Sequence, residues 1–524
     1  MSQSAGAAQS WKPSFSPWII ALAVMLPTFM EILDTSVANV SLPHIAGSFS
    51  AGVNEATWVL TSYLISNAII LCATPWLSSA FGRKNFFIAC IILFTISSFL
   101  CGISSSLGML ITARVLQGIG GGALQPISQA VLFESFTPEK RGLSMAVFGL
   151  GVIFAPIIGP TLGGLITDNY SWHWIFLINI HVGIFAVILA QAFVEDPPYI
   201  KAAKHTKIDF AGFGLMSIWL ATLQIILDKG QQADWFASSW VCWFAFISVI
   251  SFILFVINEF RHKEPIVNLH ILKNRNLTIG VTLMGVVGAV LYGTLALLPL
   301  YLQNLMQYTA QLSGYAISPR GIGSLCAILF VGRIIGKVDN RLLAVIGFGL
   351  LSYSCFLLAN INLEINMVNI IWPNVLSGIA LGFIFIPLTN LAFGTLKNEQ
   401  IASGTSIFNL MRNIGGSFGI SAVSTILTHS AQTHQANMVS HLNPYNPVFQ
   451  ERVNAVTQGL ASHMDLSTAS YKAQALIYGT LVQQSNLWGF VDNFRLFALL
   501  CLILIPLIFF LKDGKASSGQ TALH

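Results

Sequence analysis

The chain has 524 residues, 55% of them hydrophobic and only 9% charged, with a mean hydropathy of +0.73. Soluble domains carry about 25% charged residues, so water is not the solvent for most of this chain. The net charge of +5 comes from 25 basic and 20 acidic residues scattered along the sequence, which excludes a clustered phosphate-binding surface and with it nucleic-acid recognition. All seven cysteines fall inside apolar stretches and none forms a C-x-x-C pair, so neither a disulfide framework nor a zinc site is expected.

A helix needs about 20 mainly apolar residues to cross the hydrocarbon core. Such stretches begin near Trp18, Trp58, Phe86, Leu107, Leu143, Trp172, Phe210, Trp240, Leu277, Leu312, Leu342, Met367, Ala402 and Asn493, which predicts fourteen spans in an all-α polytopic membrane protein. Apolar runs of this length show no period-two alternation, which excludes a membrane β-barrel. The N-terminal segment has Lys12 as its only charge and no cleavage pattern, so the first span is expected to persist as a membrane helix. An even number of spans puts both ends and alternate loops on one side. That side holds eighteen of the 25 basic residues, whereas the opposite loops hold only Lys229, Arg452 and Lys472. The bias places both termini in the cytoplasm.

Most predicted loops are short. Two longer polar ones on the cytoplasmic side, 195–207 and 259–276, bracket spans seven and eight. The longest lies outside, over 428–490, and a loop of that length is uncommon without a role. Within it, 443–447 reads as a turn and 448–476 has helix-like spacing of apolar residues. His429, His434, His441 and His463 fall there at irregular intervals, so no metal site is expected.

No Walker A, G-x-S-x-G or H-E-x-x-H pattern is present, so the sequence is not read as an enzyme. The glycine-rich stretch 118–122 lies mid-span with no strand before it and is no dinucleotide loop. Attention passes to charges inside the spans, each of which costs about 2.5–3.5 kcal/mol at the bilayer centre on insertion scales. Span one carries Glu31 and Asp34 three residues apart on one face. With the span ending near Ser41, Asp34 lies about 10 Å and Glu31 about 15 Å inside the outer boundary. Arg114 in span four reaches the depth of Asp34, so the two can pair. The set is either a structural ion pair or a functional one, and two acids for a single arginine favour function. Arg412 in span thirteen, close to Asn409, is a second buried cation whose partner the sequence does not show. His181 in span six is either a hydrogen-bonded structural residue or a proton carrier. Span five places Gly151, Ala155, Gly159 and Gly163 at four-residue spacing, with Pro156, Pro160 and Gly164 beside them. Small residues at that spacing let backbones approach, which serves packing, a leak-tight gate, or both.

These residues resemble the major facilitator superfamily in its fourteen-span drug:proton antiporter branch, over nearly the whole chain. Leu33, Asp34 and Thr35, with Asn39 to Pro43, look like the branch's first-span signature. Arg114, Gln117, Gly118 and Gly120 fit its fourth-span motif, and Pro156, Gly159, Pro160, Gly163 and Gly164 its fifth-span antiporter motif. Leu227 to Gly230, then Asp234, Trp235 and Phe236, are most similar to the EmrB type. The loop after span two keeps the motif's Gly82, Arg83 and Lys84, but Ser79 stands where the family has an aspartate, which leaves the latch ascribed to that acid without its usual group. The equivalent second-half position is Gly336. His173 and His181 depart from the sixth-span pattern.

The resemblance implies the major facilitator fold. A six-helix bundle over 15–195 is followed by a linker and an inserted span pair over 196–260, then by a second bundle over 261–512 that includes the outer loop. The tails 1–14 and 513–524 lie in the cytoplasm. It further implies a cell inner-membrane exporter of lipophilic small molecules, driven by protons without a cofactor. An EmrA-type periplasmic adaptor and a TolC-type outer-membrane channel are its expected partners. Asp34, Glu31 and Arg114 are then the proton-coupling set, and Glu31, Asp34, Gln117, Asn409 and Arg412 the candidate substrate pocket. Export of one specific metabolite or siderophore is the rival within transport, and a membrane scaffold or sensor the rival outside it. The topology is checked by cysteine labelling, which is expected to reach position 450 from outside and position 203 only from inside.

Overall fold

The computed structural model describes residues 13–137, 140–197, 209–262, 265–335 and 337–512. Most of both tails, the linker 198–208 with Lys201, Lys204 and Lys207, and Lys263 and Gly336 lie outside the described residues. Among those described, the regular elements are helical, with one isolated bridge between Ile335 and Val338. An apolar run in lipid can satisfy its backbone only within its own turns, so helices are the form this composition dictates.

Fourteen long helices follow one another. The first half holds α1 (Pro17–Ser48), α2 (Trp58–Phe81), α3 (Arg83–Gly102), α4 (Leu107–Ser135), α5 (Arg141–Asn169) and α6 (Trp174–Phe193). Then come α7 (Phe210–Lys229), α8 (Ser239–Arg261), α9 (Arg275–Leu305), α10 (Leu312–Ile334), α11 (Asn340–Leu358) and α12 (Met367–Phe393). The last two are α13 (Asn398–Val439) and α14 (Leu466–Ile508). Thirteen are long and apolar enough to cross a membrane. The exception, α13, is long enough but too polar, and its packing between α9 and α14 makes it the fourteenth crossing.

The chain ends share a face. Ser14 donates its N–H to Glu195 after α6, and Asn276 at the start of α9 donates to Lys512 O after α14. We call this the terminal face. Helices α1–α6 pack as one bundle and α9–α14 as another, with α5 against α10 and α12, and α13 against α2 and α4. The pair α7–α8 stands outside this seam, with α7 touching both α2 and α13. Gln224 of α7 hydrogen-bonds Ser417 of α13, while Asp228 and Lys229 meet Thr61 and Thr57 beside α2. Large apolar side chains of α8, among them Trp243, Phe246 and Ile253, point outward as a lipid-facing surface.

The segment expected as an outer loop is helical instead. α13 runs 42 residues and α14 runs 43, each about 63–65 Å at 1.5 Å per residue, against a hydrocarbon core of about 30 Å. Both therefore stand well clear of the far face. A short helix, Pro447–Ala461, joins them, capped by Asn446, which accepts from Val448 N. The expected turn at 443–447 is present, but the helical spacing read over 448–476 belongs to two helices broken at 462–465. Asp465 caps α14, and its hydrogen bonds from the Ser467 hydroxyl and the Thr468 N–H hold its carboxyl down to about 2. Gln435 donates to Tyr478 Oη and His434 meets Asp492, clasping the two long helices. Hydropathy detects burial in lipid rather than helicity, which is why this polar pair of extensions escaped the span count.

Without a hydrophobic drive between helices in lipid, close backbone packing and hydrogen bonds hold the bundle. α4 lies directly on its neighbours: a Cβ on Gly118 would meet Tyr63 O at 2.5 Å, and one on Gly120 would meet Phe94 N at 2.5 Å. α5 lies as closely on α1. A Cβ on Gly163 would come within 3.2 Å of the Val37 backbone, and one on Gly159 would collide with Ser36. Ser36 has a second task there. Pro160 has no N–H to offer the Pro156 carbonyl one turn back, and the Ser36 hydroxyl donates to that oxygen at 3.1 Å instead. Gly164 faces open space. Gly159→Leu is therefore expected to insert normally yet lose transport or leak protons, whereas Gly164→Ala is expected to behave as wild type. Coupled flux in reconstituted vesicles measures both.

Candidate functional site

The acids of α1 occupy separate polar groups in one buried chain. Asp34 accepts from Arg114 Nη1 at 2.6 Å, from Gln117 Nε2 at 3.0 Å and from Asn179 Nδ2 at 2.7 Å. Side-chain exposure is 1% for Asp34 and 0% for Arg114, so this pair is dry. Arg114 also donates to Val59 O at 3.0 Å and to Gln117 Oε1 at 2.8 Å, and its guanidinium lies 4.2 Å from the centre of the Tyr63 ring. Removing one member of a buried ion pair costs about 3–5 kcal/mol, because the other charge is stranded. α1 continues to Ser48 rather than ending near Ser41, but a helix end is not a membrane boundary, and the depth match between Asp34 and Arg114 is unaffected.

Glu31, 3% exposed, has no direct basic partner among the described residues. Tyr63 Oη donates to its Oε1 at 2.9 Å and Asn67 Nδ2 at 3.1 Å, while Gln125 Nε2 donates to Oε2 at 2.6 Å. The other end of Gln125 accepts from Arg412 Nη2. The partner of Arg412 is thus an amide on the opposite bundle that also holds Glu31. Glu31 and Arg412 each lie fourteen residues, about 21 Å of helix, from the terminal-face ends of α1 and α13. Beside them Asn409 Nδ2 donates to Gln129 Oε1 at 2.6 Å, and Thr405 Oγ1 to Pro126 O at 3.2 Å. Nearer the terminal face, Phe133–Phe393 and Phe148–Phe385 ring contacts close the seam.

The residues expected to form one pocket therefore divide. Gln117 belongs with Asp34 and Arg114 inside the first bundle, and Asn409 and Arg412 belong to the seam. Tyr63 joins the two groups, with its hydroxyl on Glu31 and its ring beneath Arg114. His181 is exposed on the outer side of α6 and takes no part, while Asn179, two residues earlier, does. Tyr63, Asn67, Gln125 and Asn179 were not singled out from the sequence. Each is an amide or phenol within an apolar span, a signal weaker than a charge yet legible in a scan for all polar residues at mid-depth.

The loop after α2 compensates for Ser79, whose hydroxyl only bonds back to Trp76 O. Gly82 has φ of +85°, a left-handed turn that favours glycine. Arg83 makes a bidentate pair with Glu134 at the end of α4, at 2.7 and 3.2 Å, with both side chains at most 3% exposed. Lys84 offers its backbone N–H to Asp196 at 2.7 Å, so an acid from the stretch after α6 sits at the positive end of α3. The Lys84 ammonium reaches Gln191 O at 2.6 Å.

Comparison with known proteins agrees with this architecture. The Major Facilitator Superfamily profile matches residues 24–420. The fatty acid resistance protein FarB of Neisseria gonorrhoeae is 33% identical over 98% of both chains, and the multidrug export protein EmrB of Escherichia coli K12 is 34% identical over 96% of both. The colistin resistance protein EmrB of Acinetobacter baumannii is 31% identical over 96% of this chain and 98% of its own. The crystal structure of the human organic anion transporter MFSD10 (TETRAN) superposes with a TM-score of 0.59 at 13% identity, over 94% of this chain and all of that one, a likeness of fold. An all-helical pair of bundles, an acid–arginine pair sealed between helices and full-length relatives of one type lead to a single assignment: the chain belongs to the Major Facilitator Superfamily, as a transporter of the EmrB type.

Proposed function

We propose that this transporter exports lipophilic drugs and toxicants across a cell inner membrane by letting protons flow inward. The observation that carries the reading is the Asp34–Arg114 pair. A buried carboxylate held by an arginine and two amides has no structural need for a second acid one turn away, whereas an exchanger needs an acid whose protonation changes what it holds. The relatives' names, which speak of multidrug export and of resistance to fatty acids and colistin, support the chemical breadth of the cargo. With both termini in the cytoplasm, as the loop charges argue, the far face is periplasmic. Protonation of Asp34 from that side would release Arg114 and bias the bundles toward the other access state. A potential of 100 mV supplies about 2.3 kcal/mol per charge moved, roughly a fifty-fold gradient. Glu31 stands beside the path as the pocket acid, able to carry a second proton. Gly159, Gly163, Pro156 and Pro160 supply the tight α1–α5 contact on which rocking turns.

The decisive measurement is proton release on substrate addition to purified protein. Asp34→Asn is expected to abolish proton-driven efflux with normal expression, and Arg114→Ala to uncouple it. Release of protons by an Asp34→Asn, Glu31→Gln double variant at the wild-type level would sink the assignment.

We further assign the projecting α13–α14 hairpin as the dock for an EmrA-type adaptor leading to a TolC-type channel, because two helices rise past the far face and the hairpin exposes Tyr445 in its turn, Val448 in the short joining helix, and Leu466 and Tyr471 on α14. Shortening the hairpin is expected to spare flux in vesicles and abolish resistance in cells. Equal loss in both assays would make the hairpin part of the transport core instead.

A further inference from the structure

We propose that the turn joining α7 to α8 is a catch that holds the two bundles together at the far face, with Trp235 as its positioning residue, and that α7 and α8 travel with the first bundle when the catch releases. This rests on the export reading, in which the bundles part on one side at a time, and gives the inserted pair a part in it.

α7 lies outside the seam yet bonds to a helix on each side of it. On the first bundle, Thr61 donates to Asp228 and Lys229 donates to Thr57. Lys229 is also 3.9 Å from Asp228 and 5.7 Å from the centre of the Trp58 ring. On the second bundle, Gln224 and Ser417 exchange hydrogen bonds at 2.9 and 3.0 Å, and the Trp235 indole donates to Thr425 Oγ1 at 3.1 Å. Thr425 stands thirteen residues, about 20 Å, beyond Arg412 toward the far face. The start of α2 and the end of α7 lie at that face too, so the contacts form a bracket across α2 and α13, which also pack on each other. Opening the far face means parting these two helices, and one arm of the bracket must then give way.

The chemistry of the arms decides which. On the α13 side all the groups are neutral, and the hydroxyls and the indole each have a second partner at hand. The indole also donates to Gln231 Oε1 at 3.1 Å, Thr425 donates to Ser421 O at 2.8 Å, and the Ser417 hydroxyl lies 3.3 Å from Asn413 O. The α2 arm instead holds a carboxylate and an ammonium, whose hydrogen bonds are about twice as strong as neutral ones, and the Lys229 side chain is only 9% exposed. The backbone adds to the difference. Asp234 and Trp235 have φ of +52° and +51°, two successive left-handed residues without a glycine. That conformation is uncommon for aspartate and costly for a side chain as bulky as tryptophan. Such strain persists only where its surroundings hold it. Thr425 holds Trp235 from across the gap, and Gly230 seats the ring, since a Cβ there would meet it at 2.8 Å. Parting the turn from α13 relieves the strain, whereas parting α7 from α2 relieves none. The α13 arm therefore yields, and the inserted pair stays with the first bundle.

Pulsed electron–electron distance measurements on the full chain in lipid nanodiscs test this. Spin labels are carried by p-acetylphenylalanine at the exposed positions Glu55 in the short helix before α2, Gln232 in the turn and Gln432 on α13, taken in pairs. As the pH is stepped from about 8 to about 5.5, the 55–432 distance is expected to change as the bundles rock. The 232–432 distance is expected to change with it, and the 55–232 distance to hold. Trp235→Phe keeps a ring over Gly230 but loses the indole N–H, and Thr425→Val loses its acceptor. Each is expected to raise the ratio of far-open to far-closed molecules about fivefold, the size of one neutral hydrogen bond. The double variant is expected to go no further than either alone, because both remove the same bond. If Trp235→Phe does not fold, Thr425→Val and the wild-type distances decide the matter. A 55–232 distance that changes while 232–432 holds, populations unmoved by the variants, or single effects that add in the double variant each overturn the proposal. A 55–432 distance fixed at every pH removes the rocking on which the export reading depends, and the catch with it.

Discussion

Charge burial in a medium that cannot solvate it governs this structure. Glu31, Asp34, Arg114 and Arg412 all lie inside the helices of the two bundles with at most 3% exposure. Such groups persist in a membrane protein only when partnered or facing a path. Asp34 and Arg114 solve the problem within one bundle, by direct contact. Glu31 and Arg412 solve it across two, through the amide of Gln125. The first solution can survive any movement of the bundles as rigid bodies. The second cannot, because separation of α4 from α13 breaks it.

The helix packing serves this arrangement. The glycines of α4 bring its backbone onto α2 and α3, which is what lets Arg114 reach Val59 O on one side and Asp34 on the other. The glycines of α5 do the same against α1. There the Ser36 hydroxyl replaces a hydrogen bond that Pro160 cannot make, so the Pro156 carbonyl stays satisfied in a helix with two internal prolines. The inserted pair links the two bundles from outside the seam. α7 touches α2 through Asp228 and Lys229 and touches α13 through Gln224, so one helix feels both bundles.

The terminal-face loop shows how a motif's chemistry can outlast its residue. Ser79 offers no charge, yet the positive end of α3 still meets an acid, Asp196, and Arg83 still meets one, Glu134. Both come from distant stretches of sequence that fold onto the same corner. Buried bidentate pairing of this kind fixes geometry more than it adds net stability.

The span count, the helical class and the family were all legible in the residues, because lipid leaves the backbone a single choice and because long apolar runs and intramembrane charges are strong, local signals. The pairing of Asp34 with Arg114 was also within reach, since helix rise converts sequence position into depth. What only the tertiary structure decided are the contacts that depend on rotation and on which helices touch. These include the partner of Arg412, the exclusion of His181 in favour of Asn179, and the separation of Gln117 from Asn409. The projecting hairpin belongs to the same class: its helices are polar, and polar residues form helices in water without leaving a mark on a hydropathy scale. Depth is written along one helix, whereas azimuth is settled only by its neighbours.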